Sequence, residues 1–144
     1  MLGCELVYRT SEFSDPFAGD WMPRHYDVPA SARIETVMLR CGPVTNIELF
    51  MWHEVAAPPP GVGIGAAHIA LFVDDVAAAC ERLAAEPGVR VLGPPTIVVD
   101  EPNEGTEFVF VRLPWGLYLE LVRSPRLMPY HGTTRARMYR VDDA

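Results

Sequence analysis

Two stretches of the chain repeat one pattern, and that repeat limits the available folds more than any other feature. Val37-Met38-Leu39-Arg40, a Gly/Pro turn and Ile47-Glu48-Leu49-Phe50 match Val109-Phe110-Val111-Arg112, a Gly/Pro turn and Leu119-Glu120-Leu121-Val122. Each copy is a pair of apolar strands around a tight turn, with one Glu in the middle of the second strand. An internal repeat fixes architecture before local detail does, because equivalent units pack equivalent faces. The repeat predicts two similar units lying side by side, each giving half of a curved sheet.

The second unit is the more legible. His68–Val73 is a short apolar run and reads as a strand. Asp74 and Asp75 follow, and either can cap a helix. Val76, Ala79, Cys80 and Leu83 then fall at the i, i+3, i+4, i+7 spacing of an amphipathic helix, which Pro87-Gly88 stops. Val89–Leu92 predicts a strand broken by Gly93-Pro94-Pro95, and Thr96–Val99 a further strand or an extended connection. Thr106–Leu113 and Leu117–Arg123 are strands joined at Pro114-Trp115-Gly116. The order is strand, helix, then three strands.

The first unit reads as the same plan without its opening. Leu2–Arg9 is strand-like, Thr10 to about Ala32 is a long irregular stretch, and Arg33–Arg40 and Asn46–Trp52 are strands. Ala56–Gly65, rich in Pro and Gly, reads as a linker. His68 precedes Glu120 by 52 positions, and the same count back from Glu48 falls before Met1. The strand and helix that should open the first unit are therefore expected upstream, from another chain, or not at all. The expected organisation is an incomplete first module over 1–55, a linker over 56–65, a second module over 66–125 and a tail over 126–144, all one domain.

Composition narrows the function classes. At 144 residues and 49% hydrophobic, the chain can build one ordinary core. A net charge of -7 argues against nucleic acid as a partner. No apolar run is long enough to span a membrane, and Met1-Leu2-Gly3-Cys4-Glu5 lacks the form of a secretory signal. Cys4, Cys41 and Cys80 are odd in number without CxxC spacing, so three reduced thiols in a cytoplasmic protein are expected. Cys80 reads as a packing residue.

Glu48, His68 and Glu120 are the candidate site. A Glu buried unpaired between apolar neighbours costs several kcal/mol, roughly. Strand alternation lets one such Glu face solvent, but two at equivalent repeat positions point to a shared task. His68 alone reads as a polar strand end. Taken with two carboxylates, its imidazole completes a donor set suited to a divalent cation with open positions. His25, His53 and His131 read as surface or packing residues, and the Arg-bearing tail from Ser124 onward as solvated.

His68-Ile69-Ala70-Leu71-Phe72-Val73-Asp74-Asp75, the helix, Pro87-Gly88-Val89-Arg90-Val91 and Leu113-Pro114-Trp115-Gly116-Leu117-Tyr118-Leu119-Glu120-Leu121-Val122 together resemble a module of the vicinal-oxygen-chelate superfamily, the glyoxalase, bleomycin-resistance and dioxygenase group. The resemblance spans Leu2 to Pro125 and is stronger in the second half. It implies an α+β fold in which two βαβββ modules, the first incomplete, form a cup-shaped mixed sheet. Leu2-Gly3 resembles the pair that often ends the first module's helix. The resemblance also implies metal ligands from the first and last strands of each module, here Glu48, His68 and Glu120. The fourth ligand, often His or Gln on the first module's opening strand, has no counterpart.

The metal implied is Zn, Ni, Co, Mn or Fe. The activity implied is a glyoxalase-like lyase, isomerase or epimerase acting on a small carbonyl compound or thioester. The step is proton abstraction beside the carbonyl with stabilisation of an enediolate, and Glu48 or Glu120 is the base. Two other readings stay open: an iron-dependent dioxygenase of the same superfamily, or a metal-free protein that binds a small molecule as bleomycin-resistance proteins do. An uncovered sheet edge and apolar face in the first unit predict a homodimer.

Overall fold

The computed structural model describes residues 4–14, 19–53 and 67–140. The first unit contains β1 (Cys4–Arg9), a short helix α1 (Trp21–Tyr26), β2 (Arg33–Cys41) and β3 (Thr45–His53). The second contains β4 (His68–Phe72), α2 (Val76–Ala84), β5 (Arg90–Ile97), β6 (Glu107–Arg112) and β7 (Tyr118–Arg123). The chain then runs through a 3-10 turn at Pro129–Gly132. The Leu2-Gly3 pair and the linker over 56–65 lie outside the described residues.

The strands form two sheets, one ordered β1-β2-β3 and the other β4-β7-β6-β5. In the second sheet β4 runs parallel to β7, while β7-β6 and β6-β5 are antiparallel. That is a βαβββ unit. A parallel partner needs a crossover, and α2 with β5 and β6 supplies it. In the first sheet β2 and β3 pair antiparallel over their full length, with Arg33 opposite His53 and Cys41 opposite Thr45. The two sheets match element for element, except that β3 has no parallel neighbour of the β4 kind among the described residues.

Helix α2 forms where its spacing predicts. Its cap is Asp75, whose side chain accepts the Ala78 amide hydrogen at 2.9 Å. Such a cap stabilises a helix by about 1 kcal/mol. Val76 and Ala79 are buried against Val109, Val111 and Leu121, with Cys80 and Leu83 packed beside them. Those strand residues alternate with Phe108, Phe110 and Val122, which face the opposite side. One face of the second sheet thus carries α2 and the other lines a cup.

Four expectations are corrected by tertiary structure. Gly93-Pro94-Pro95 does not end a strand: β5 continues through it, with a register shift between Leu92 and Thr96. A bulge tolerates prolines because its residues need not donate to the ladder. Gly93 has φ +69°, and a Cβ there would lie 2.9 Å from His25 Nε2, so backbone and ring approach too closely for a side chain. The stretch between β1 and β2 is not wholly irregular. Helix α1 buries Trp21, Met22, His25 and Tyr26, and Phe13 bridges to Ile34. Local propensity gave little sign of it, because the helix is six residues long and held by packing.

The cysteines are the third correction. The β1–β2 register sets Cys4 opposite Cys41, and the two form a disulfide, leaving Cys80 as the free cysteine. Pairing 37 residues apart depends on register, which cysteine spacing does not reveal. The fourth concerns the tail. Met128 and Tyr130 are buried against Val7, Tyr8 and Met38, so the segment beyond Ser124 packs on the first sheet. No helix among the described residues is long and apolar enough to cross a membrane.

Candidate metal centre

Cross-strand registers carry the site residues to one place. On the first sheet Tyr8 pairs with Met38 and Met38 with Glu48, forming one row. On the second, Glu120 pairs with Ala70 on one side and Phe110 on the other, and Phe110 pairs with Leu92. Tyr8, Met38 and Glu48 of the first row and Ala70, Glu120 and Phe110 of the second line an open cup of about 1460 Å³. His68 stands two residues before Ala70 and so shares its face of β4. The His68 ring meets Phe50 of the first sheet at 5.4 Å and Phe110 of the second at 5.0 Å between centroids. An imidazole wedged between aromatic edges has few ways to turn.

Glu48, His68 and Glu120 converge. Each offers a ligand atom, and these atoms lie within 4.8 Å of one another. His68 Nε2 is 3.5 Å from Glu120 Oε2, and both side chains are largely buried, 11% and 14% exposed. Burial first, and the neighbouring Glu120 carboxylate second, push the Glu48 carboxyl up to about 8, against a hydrogen bond from Thr36 that favours the ionised form. Two carboxyl groups thus share a largely buried site, where they repel each other when both are ionised. An imidazole nitrogen and two carboxylate oxygens fit a divalent cation, which would relieve that repulsion.

Two tyrosines flank the carboxylates. Burial, then Glu48 and Glu120, hold the Tyr8 hydroxyl well above its ordinary value. Burial, then Glu120 and Glu48, do the same to Tyr26. Both therefore remain protonated and able to donate hydrogen bonds. Tyr26 belongs to the aromatic floor, with its ring 5.3 Å from Phe110 and 5.6 Å from Trp52. Tyr8 did not stand out in the sequence, because it reads as an ordinary strand aromatic.

A second cluster escaped the sequence reading. Glu12, Glu35 and His53 also bring ligand atoms within 4.8 Å. His53 Nε2 lies 3.1 Å from Glu35 Oε1, and Arg33 Nη1 donates to Glu12 Oε1 at 3.0 Å. Arg33 already supplies a cation there, so the cluster is a partly solvated charge network, a kind worth little to stability. The signal for it lay in the β2–β3 register, which sets Arg33 opposite His53.

A βαβββ unit, a second unit matching its last three strands, and a His-Glu-Glu cluster at their junction define the vicinal-oxygen-chelate class. No family model matches the chain. It is 44% identical over 145 residues to a 2-epi-5-epi-valiolone epimerase from Actinomyces sp, covering 96% of this chain and 76% of that protein. Among solved structures it is similar to SMU.1112c, with 25% identity, 85% of this chain and 81% of that one covered, and a TM-score of 0.34. It is also similar to a glyoxalase family protein from Bacillus cereus, with 20% identity, coverage of 85% and 78%, and a TM-score of 0.33. On the strength of the 44% identity to that epimerase, the chain belongs to the vicinal-oxygen-chelate superfamily. Within it, the chain is an enzyme of the epimerase or isomerase kind, acting on a small molecule.

Proposed function

We propose that this protein is a metal-dependent epimerase that inverts a carbon beside a ketone, with 2-epi-5-epi-valiolone or a close relative as substrate. The observation that carries the reading is the convergence of Glu48, His68 and Glu120 within 4.8 Å at the junction of the two sheets. The 44% identity to an epimerase favours this chemistry over ring cleavage or passive binding.

Glu48, His68 and Glu120 would hold the cation. The chemistry a divalent ion would supply there is polarisation of the carbonyl, which would make the adjacent C–H bond acidic. Glu48 takes the proton from that carbon. Its carboxyl stands in the cluster at the cup, placed to accept a proton from a substrate held there. Glu120, from the other sheet, serves the opposite face, and a proton returned there inverts the centre. The buried Tyr8 and Tyr26 hydroxyls, held protonated, donate to the developing negative charge. The apolar walls of Phe50, Phe108 and Phe110 keep bulk water from the reacting carbon.

Proton NMR of 2-epi-5-epi-valiolone in D₂O with the metal-loaded protein tests this. The expected result is deuterium at one carbon next to the carbonyl together with the epimer, both lost in Glu48→Gln by a factor of about 100 or more. No exchange and no epimer would sink the reading.

The homodimer belongs to the same proposal. Leu49 and Met51 on β3 and Ile69 and Leu71 on β4 are all about half exposed, with values from 44% to 52%. By strand alternation they point the opposite way from Glu48 and His68, although Leu49, Ile69 and Leu71 also border the cup, and exposed apolar strand faces of this kind mark a contact surface.

A further inference from the structure

The segment after β7 is tied down beside the site by one side chain. Asn46 Oδ1 accepts the Tyr139 amide hydrogen at 2.8 Å, and Asn46 Nδ2 donates to the Tyr139 carbonyl at 3.1 Å. One amide thus imitates a strand partner for a residue 93 positions away. Asn46 lies two residues from Glu48, on the same face of β3. Its register partner Arg40 sets its guanidinium 5.2 Å from the Tyr139 ring centroid.

Further bonds support the same segment. The Met138 amide donates to the Tyr130 hydroxyl at 3.2 Å, and the Tyr130 ring lies 5.3 Å from that of Tyr8, in the row that ends at Glu48. Met128, Met138 and Tyr139 consequently line the cup. These side chains are flexible or large, and they come from a segment with no strand or α-helix of its own. Buried Met128 and Tyr130 anchor the segment, and the Asn46 bonds fix its far end from the strand that carries Glu48.

We infer that Asn46 is a positioning residue for substrate recognition. By fixing the Tyr139 backbone it holds Met138 and Tyr139 as one wall of the cup, and that wall sets how tightly the substrate is held without touching the proton-transfer groups. The inference rests on the reading of the cup as the substrate site.

The test compares wild-type protein with Asn46→Ala and with Asn46→Asp, which keeps the oxygen that accepts from Tyr139. Hydrogen exchange is read at the Met138 and Tyr139 amides. With 2-epi-5-epi-valiolone as substrate, Asn46→Ala should lose protection at both amides and raise KM about tenfold with kcat within about twofold, and Asn46→Asp should lie between. Unchanged protection at Tyr139 overturns the inference. So does lost protection with KM at the wild-type value, because the segment would then be structural only.

Wild-type protein inert to this ketone would instead overturn the substrate reading. The wall is then judged by the rate at which EDTA removes cobalt from the cup. Removal about tenfold faster in Asn46→Ala upholds it, and an equal rate overturns it.

Discussion

His68 Nε2 lies 3.5 Å from Glu120 Oε2, although 52 residues separate the two in the chain. The parallel pairing of β4 with β7 is what joins them, since it runs His68 alongside Tyr118 and Ala70 alongside Glu120. Glu48 reaches the same place from the other sheet.

Removing one donor should therefore empty the centre. Protein purified without chelator is expected to carry close to one divalent ion per active cup by elemental analysis. Glu120→Ala and His68→Ala should each weaken retention by about 10-fold or more, leaving the fold intact by circular dichroism. Wild-type protein that binds no Zn, Ni, Co, Mn or Fe when each is added would remove the metal from the proposal.

Stability of the metal-free protein should depend on pH through Glu48. Its folded value is about 8 against 4.5 ordinarily, so the native state holds this proton more tightly than the unfolded chain does. The contribution is complete below about 4.5 and is lost as pH rises through about 8. Thermal midpoints measured in EDTA should fall over that window. Glu48→Gln, which has no such proton, should flatten this part of the profile. Saturating metal should restore stability at the alkaline end, because binding to the native state alone raises it. Identical profiles for wild type and Glu48→Gln would contradict the assignment.

Gly93→Ala is expected to destabilise the fold through His25. The new methyl would meet the ring at 2.9 Å, at a backbone φ of +69° that disfavours a side chain. Forcing a group into a packed site typically costs about 1–3 kcal/mol. Calorimetry should show a midpoint lower by several degrees, and His25→Ala in the same chain should recover part of it by opening space. A wild-type midpoint in Gly93→Ala would show that the approach relaxes freely.

Light scattering should give twice the chain mass. Leu49→Glu with Leu71→Glu should shift the protein toward monomer, since charges on a buried apolar contact are costly to desolvate. A wild-type protein that is monomeric at high concentration removes the dimer from the proposal.

The chain alone determined a good part of this. The repeated strand pairs around Glu48 and Glu120, the amphipathic stripe of α2 and the strand opening at His68 are periodic, and periodicity is a local property. Glu48 and Glu120 were legible because a Glu between apolar neighbours is conspicuous in any strand, and His68 stood out only when taken with them. Other features were fixed only by register and packing. Cys4 meets Cys41 and Arg33 faces His53 because strands align, Asn46 meets Tyr139 because the tail folds back on β3, and no spacing of those residues announces it. Helix α1 and the tail hold their places through Tyr26, Met128 and Tyr130 in the core, so their order comes from contacts distant in sequence. The raised proton affinity of Glu48 is likewise tertiary. It needs burial and a second carboxylate brought from the other sheet, a dielectric and a distance that only the folded chain provides.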